Sequence, residues 1–269
     1  MKYSIITVNY NNKEGLRRTI ESVIHQTFSN YEFIIIDGGS TDGSADILKE
    51  YDELITYWVS EKDKGIYNAM NKGIAKATGD YLNFMNSGDC FYASDVLEKV
   101  SNYQYDADFI VGKDYHYNEK INKGHVSIQP PRTTMIHFFM ATLDHQSTFI
   151  KRELFYNSPY DENHRLVSDW IFFIEKIVKD NKQVQFIPDI VCRREEGGLS
   201  EQQGDKNREE INDYLHKILP NGVYQDYASL AKLDKNSIYK LFSICEDRRM
   251  KKLLTYAIKI ISKLHQFHF

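Results

Sequence analysis

Amide and acidic side chains cluster in this chain at four places: Thr7-Val8-Asn9-Tyr10-Asn11-Asn12, Asp37-Gly38-Gly39-Ser40-Thr41-Asp42-Gly43, Glu61-Lys62-Asp63-Lys64-Gly65 and Asn83-Phe84-Met85-Asn86-Ser87-Gly88-Asp89. Each follows a short apolar run. A carboxylate at the end of a strand can accept hydrogen bonds from a ribose or a base N–H, and neighbouring glycines let backbone amides come close to a ligand. Asp89 supplies the hard oxygen that Mg²⁺ or Mn²⁺ prefers and would bridge the protein to a pyrophosphate. Each cluster also has a purely local use. Asn11 or Asn12 can cap a helix, as can Ser40, Thr41, Asp42 or Asp63, with Lys64 simply solvated and Asp89 closing an Asx turn.

These clusters need a scaffold that brings them to one edge. Tyr3 to Val8, Glu32 to Ile36, Leu54 to Val59 and Tyr81 to Met85 read as strands. Between them, Leu16, Ile20, Val23 and Ile24, then Ile47, Leu48 and Tyr51, then Ile66, Ala69, Met70, Gly73, Ile74 and Ala77 mark the inward stripes of three helices, the last stopped by Gly79. Alternating strands and helices imply right-handed crossovers and a mostly parallel sheet, with ligands at the carboxyl ends of its strands. Beyond Val100 the rhythm loosens into strands at Phe109 to Gly112, Gln146 to Ile150 and Val184 to Ile187 and a helix from Asp169 to Lys179. This half suits a second substrate. From Asp205 onward the chain reads as helices.

Bulk properties narrow the classes. The 269 residues, 42% hydrophobic with five prolines, fit one large α/β domain or one domain with an appendage. A net charge of -4 gives no field to attract nucleic acid, so no nucleic-acid partner is expected. Cys90, Cys192 and Cys245 lie far apart without metal-ligand spacing, which points to a reducing, cytoplasmic setting. Neither a signal peptide nor a run of about 18 apolar residues is present, so secretion and membrane spanning are not expected. No G-x-G-x-x-G follows the first strand and no P-loop occurs, which sets aside another kind of nucleotide-binding enzyme, such as a nucleotidyltransferase or a dinucleotide oxidoreductase.

Taken in order, TVNYNN, IIIDGGSTDGSADIL, EKDKGIYNAMNKGIAKATGDY, LNFMNSGD, LDHQSTFIKREL and RLVSDW make residues 1 to 200 resemble glycosyltransferase family 2. The resemblance implies an α/β GT-A fold, a Rossmann-like, mostly parallel sheet flanked by helices. Residues 1–204 would be the catalytic domain, with a donor half over 1–100 and an acceptor half over 101–204, and 205–269 a helical extension. It implies inverting transfer of a sugar from a nucleotide-diphosphate sugar, by default a UDP-hexose or UDP-N-acetylhexosamine, with Mn²⁺ or Mg²⁺ as cofactor. The acceptor would be a hydroxyl of a growing bacterial glycan of the capsule, exopolysaccharide or O-antigen kind, or of a lipid-linked oligosaccharide.

The same resemblance assigns roles by position. Thr7, Asn9 and Tyr10 fall where the family lines its nucleobase pocket, and Asp37 falls on the acid that reads uracil or ribose. Asp63, Lys64 and Asn68, with Ser87 and His145, fall among the donor contacts. Asp89 matches the last acid of the DxD-like motif that holds the metal, and Asp169 the acid near the acceptor, the expected catalytic base. Two departures matter. Many relatives carry two adjacent acids where this chain has Asp37-Gly38, and a fuller acidic motif where it has Asn86-Ser87-Gly88-Asp89. Metal binding is therefore expected to be modest and to draw ligands from the donor's pyrophosphate.

Several residues keep two readings. Asp169 is a general base or a first-turn acid on the helix dipole. His145, beside Gln146, is a ligand-contacting or a structural histidine, and Trp170 stacks on a sugar or fills the core. Glu195-Glu196-Gly197-Gly198-Leu199-Ser200 is a lid or an ordinary loop. The tail Arg248 to Leu264 pairs an apolar stripe with basic residues, suited to docking on the domain or to peripheral contact with the inner membrane. A non-catalytic nucleotide-sugar-binding subunit of the same fold is the alternative function.

Overall fold

The computed structural model describes residues 1–103, 106–118, 121–195 and 203–266. Strand β1 (Tyr3–Asn9) is buried along its whole length because helices cover both faces of the sheet. On one face Tyr3 and Ile5, with Phe33 and Ile35 of β2 (Tyr31–Asp37), share a core with Leu16, Ile20 and Val23 of α1 (Lys13–Ile24) and Ile47 and Leu48 of α2 (Ser44–Glu50). On the other, Ile6 and Ile36 meet α3 (Ile66–Lys76) at Gly73, where a Cβ would stand 2.5 Å from the Ile6 Cγ2. Only glycine allows the helix that close.

Strand β3 (Tyr57–Ser60) lies parallel to β2, β2 to β1, and β1 to β4 (Tyr81–Phe84). The register sets Asn9 beside Asp37 and Asp37 beside Ser60, so three polar residues end at one level. Next come β5 (Cys90–Phe91), α4 (Val96–Asn102), β6 (Phe109–Asn118), β7 (Lys123–Val126), α5 (Met135–Met140) and β8 (Thr148–Lys151), followed by α6 (Ser168–Phe173) and β9 (Val184–Glu195). The sheet continues through β8, antiparallel to β4 and β6, to β9, parallel to β6, and ends at β5, with β7 paired on β6.

Some expected bounds shift. The third strand starts at Tyr57, since Asp52–Leu54 coils into a 3₁₀ turn whose Asp52 accepts the Trp58 indole N–H at 2.5 Å. Gln146 belongs to another 3₁₀ turn, His145–Ser147, ahead of β8. The second-half strands outrun their apolar cores, because polar residues Asp114 to Tyr117 pair with Cys192 to Glu195. The expected helix starts at Ser168 and turns into π-helix over Ile174–Lys179. Such widened turns gather at functional sites.

Glu32 anchors the sheet's other end. Its buried carboxylate accepts from Lys2 Nζ and Ser4 Oγ at 2.6 Å each, and from Thr78 Oγ1 at 2.6 Å. Burial alone would raise its pKa, yet these donors hold it down at about 2.

The described chain forms two compact units. One comprises Met1–Gln129 and Thr142–Leu215; the other joins Pro130–Ala141 to the chain from His216 onward. The sequence reading divides the chain once, after residue 204. The second unit contains α5, the end of α7 (Gly204–Ile218), α8 (Asn221–Leu230), α9 (Lys235–Glu246) and α10 (Arg248–Gln266). Its small core gathers Ile136, Ile238 and Tyr239. No helix among the described residues is long and apolar enough to cross a membrane.

Candidate active site

The polar residues at the tips of β1, β2 and β3 satisfy one another. Asp37 is fully buried, and its two oxygens accept from Asn9 Nδ2 (2.7 Å), Ser40 Oγ (2.5 Å), Ser40 N–H (2.9 Å) and Ser60 Oγ (2.6 Å). Burial opposes its charge, but those donors keep its pKa below the usual carboxylate value. A carboxylate so engaged ties the tips of β1, β2 and β3 together. Thr7 lies in the layer beneath. It is fully buried, and its hydroxyl donates to the Met85 carbonyl at 2.6 Å.

Around this layer lie the residues with surface to offer. The Tyr10 side chain is 67% exposed, enough for a base to stack on it. Asp63 reaches over Gly38, where a Cβ would fall 2.5 Å from its Oδ2 and 3.1 Å from the Tyr10 ring, so a side chain at position 38 would push the Asp63 carboxylate aside. Asp63 also accepts the Gly65 N–H at 2.9 Å. Lys64 is exposed, and its N–H donates to Asn68 Oδ1 at 3.2 Å while Asn68 Nδ2 donates to Glu162 at 3.0 Å. Asn12 caps α1 and reaches Ser87, donating to both its carbonyl and its hydroxyl (3.0 and 3.1 Å).

The chemistry-bearing acids meet through adjacent residues of the 145–147 turn. Gln146 Nε2 donates to Asp89 Oδ2 at 3.0 Å, and His145 Nδ1 lies 3.0 Å from Asp169 Oδ2. Tyr67, unmarked in the sequence, donates its hydroxyl to Asp169 Oδ1 at 2.6 Å. Burial pushes the Asp169 carboxyl up, but His145 and then Tyr67 more than offset it, so its pKa lies below the ordinary value. An ionised Asp169 makes Nδ1 the protonated nitrogen of His145, leaving Nε2 to accept from Asn86 Nδ2 at 3.0 Å. Trp170 is buried with its ring edge-on to Tyr214, so its role is packing.

Asp89 stands in the opposite electrostatic condition. Burial raises its pKa to about 6, against the Gln146 hydrogen bond that favours ionisation. Near it, the side-chain oxygens of Asn86 and Gln146 are buried without a hydrogen-bond donor. A recessed carboxylate with unsatisfied carbonyl oxygens fits a hard divalent cation. A second acidic group, Asp114, His116 and Asp144, was not anticipated from the sequence; its ligand atoms all lie within 4.8 Å of one another. The signal was the i, i+2 spacing of Asp114 and His116 on a strand, which puts both on one face. The residues read as a lid, 196–200, lie outside the described residues.

The sequence profile of Glycosyl transferase family 2 matches residues 4–180, and the chain belongs to that family. Its fold is GT-A. A PGL/p-HBAD biosynthesis glycosyltransferase of Mycobacterium bovis is 29% identical over 221 residues, 76% of this chain and 81% of that protein. An uncharacterized glycosyltransferase of Mycobacterium tuberculosis is 45% identical over 98 residues, so the match spans only 37% of that relative's length and 36% of this chain. Among solved structures, S. aureus TarS in complex with UDP-GlcNAc superposes with a TM-score of 0.64 at 16% identity, covering 84% of this chain and 70% of that one. The mannosyltransferase PcManGT from Pyrobaculum calidifontis, in complex with GDP-Man and Mn²⁺, gives 0.58 at 15% identity over 96% of this chain and 80% of that one. At these identities the likeness speaks for the fold alone.

Proposed function

We propose that the chain transfers a sugar, with inversion, from a UDP-hexose or UDP-N-acetylhexosamine to a hydroxyl of a bacterial surface glycan, free or lipid-linked. The observation that carries this reading is the pair of acids gathered by one turn, Asp89 through Gln146 and Asp169 through His145. The acceptor oxygen bonds to the anomeric carbon as the bond from that carbon to the diphosphate oxygen breaks. The acceptor proton passes to the Asp169 carboxylate, and the nucleoside diphosphate leaves with the bonding electrons. A divalent cation, Mn²⁺ or Mg²⁺, held by Asp89 with Asn86 and the donor's own oxygens, would neutralise charge on the leaving diphosphate. Tyr10 stacks on the base in a pocket that Asn9 and Thr7 help to form, Asp37 reads the uracil or ribose, and Asp63, Lys64, Asn68 and Ser87 face the donor. Tyr67 and His145 fix the Asp169 carboxylate towards the acceptor.

The test is a panel of UDP- and GDP-sugars with Mn²⁺ and glycan acceptors, read as nucleoside diphosphate released and as the anomeric configuration of the product by NMR. Donor-dependent release with inverted configuration is expected. Retention, or no release across the panel, would overturn the reading.

The cytoplasmic face of the inner membrane is the proposed working location. Leu253, Ile258 and Ile261 on α10 are 62%, 53% and 63% exposed, and Arg248, Arg249, Lys251, Lys252 and Lys259 share the helix without an acid. An exposed apolar face on a basic helix suits an anionic lipid surface.

A further inference from the structure

We propose that Asp114, His116 and Asp144 form a divalent-cation site of their own, separate from the carboxylate of Asp89. Asp114 and His116 project from one face of β6, and the turn behind Asp144 closes over them, tied down by Ser147 Oγ donating to Asp114 Oδ2 at 2.8 Å. The three ligand atoms lie within 4.8 Å of one another. Ligand bonds of about 2.1 Å hold partners up to about 4.2 Å apart around one ion, so a closure of under about 1 Å completes the site.

The second observation is the state of Asp114. The residue is 1% exposed, yet its Oδ1 is buried with no hydrogen-bond donor. A buried carboxylate oxygen without a donor is destabilising until something fills its place. Facing a second carboxylate, it needs either a cation or a proton between them. Arg194 lies 3.4 Å from Asp144 Oδ1 and is the charged side chain already beside the pair. Two carboxylates and an imidazole select Mn²⁺, Zn²⁺ or Fe²⁺ over Mg²⁺ or Ca²⁺, which prefer all-oxygen sets. A cation here would lock β6 to the turn from which His145 reaches Asp169 and Gln146 reaches Asp89.

The proposal needs no nucleotide and stands apart from the transfer reaction. The full chain, stripped of metal, is titrated with ZnCl₂ and with MnCl₂ by calorimetry, and metal retained after desalting is counted per chain. One ion per chain is expected without nucleotide, with a raised melting temperature and nitrogen modulation in the pulsed EPR of bound Mn²⁺. Asp89→Asn should bind alike, whereas His116→Ala and Asp144→Asn, at partly exposed positions, should weaken binding by about tenfold or more, with His116→Ala losing the nitrogen signal. Absence of stoichiometric metal in the wild type would mean that Asp114 and Asp144 share a proton, and the proposal fails. It fails equally if Asp89→Asn abolishes binding while His116→Ala leaves it intact.

Discussion

Two carboxylates that contact one turn are tuned in opposite directions, and each tuning has a measurable consequence. Asp169 is kept ionised by His145 and Tyr67. Asp169→Asn should leave the donor Kd unchanged and lower the transfer rate by about 10²–10⁴; turnover near the wild-type rate would reduce it to a helix-dipole acid. Tyr67→Phe removes a donor to the ionised form, so the acid limb of the pH–rate profile should move to higher pH with a smaller loss of rate. A Tyr67 that only packs would leave that limb in place. Asp89 behaves inversely. Its folded pKa of about 6 lies above the ordinary aspartate value of 3.8, so the folded chain binds more protons than the unfolded one across that window. Stability then falls as pH rises from 4 to 6, and Asp89→Asn in EDTA at pH 7.5 should gain on the order of 1–3 kcal/mol while transfer is lost. Thermal melts with and without chelator check this.

At the level of elements, the sheet is pinned where β1 and the loop between α3 and β4 converge on Glu32 of β2. Its folded pKa is about 2 against 4.5, so the stability it contributes is present above pH 4.5 and lost as the pH falls towards 2. Glu32→Gln should cost on the order of 2–3 kcal/mol at neutral pH and flatten the acid limb of the urea-denaturation profile. A variant as stable as the wild type at pH 7 would show that the network contributes nothing net. Further along the same face, Gly73→Ala forces a methyl onto Ile6, and a destabilisation of about 1–3 kcal/mol in the same assay is expected. Both residues act on the scaffold, so neither should alter the pH dependence of transfer.

For the whole molecule, the second unit carries the proposed surface contact. Deleting Arg248 to Phe269 should move the protein from sedimenting with anionic vesicles to remaining in the supernatant, with little change against zwitterionic ones. High salt should mimic the deletion, because the basic residues act through a screened potential. An unchanged distribution removes the lipid contact and leaves α10 as an ordinary appended helix.

Local patterning in the sequence was enough to read the strand-helix alternation through Phe84, the buried stripes Leu16/Ile20/Val23 and Ile47/Leu48, and the placing of polar clusters at strand ends. Period and capping are properties of neighbouring residues, so they survive without the fold. The partners of those clusters are not local. Asp37 is saturated by residues 23 to 28 positions away as well as by Ser40, Tyr67 meets Asp169 across 102 positions, and Asp114 meets Asp144 through the turn ahead of β8. Whether an acid is satisfied, poised or left facing another acid depends on burial and on donors brought from distant chain, and only the tertiary structure decides those.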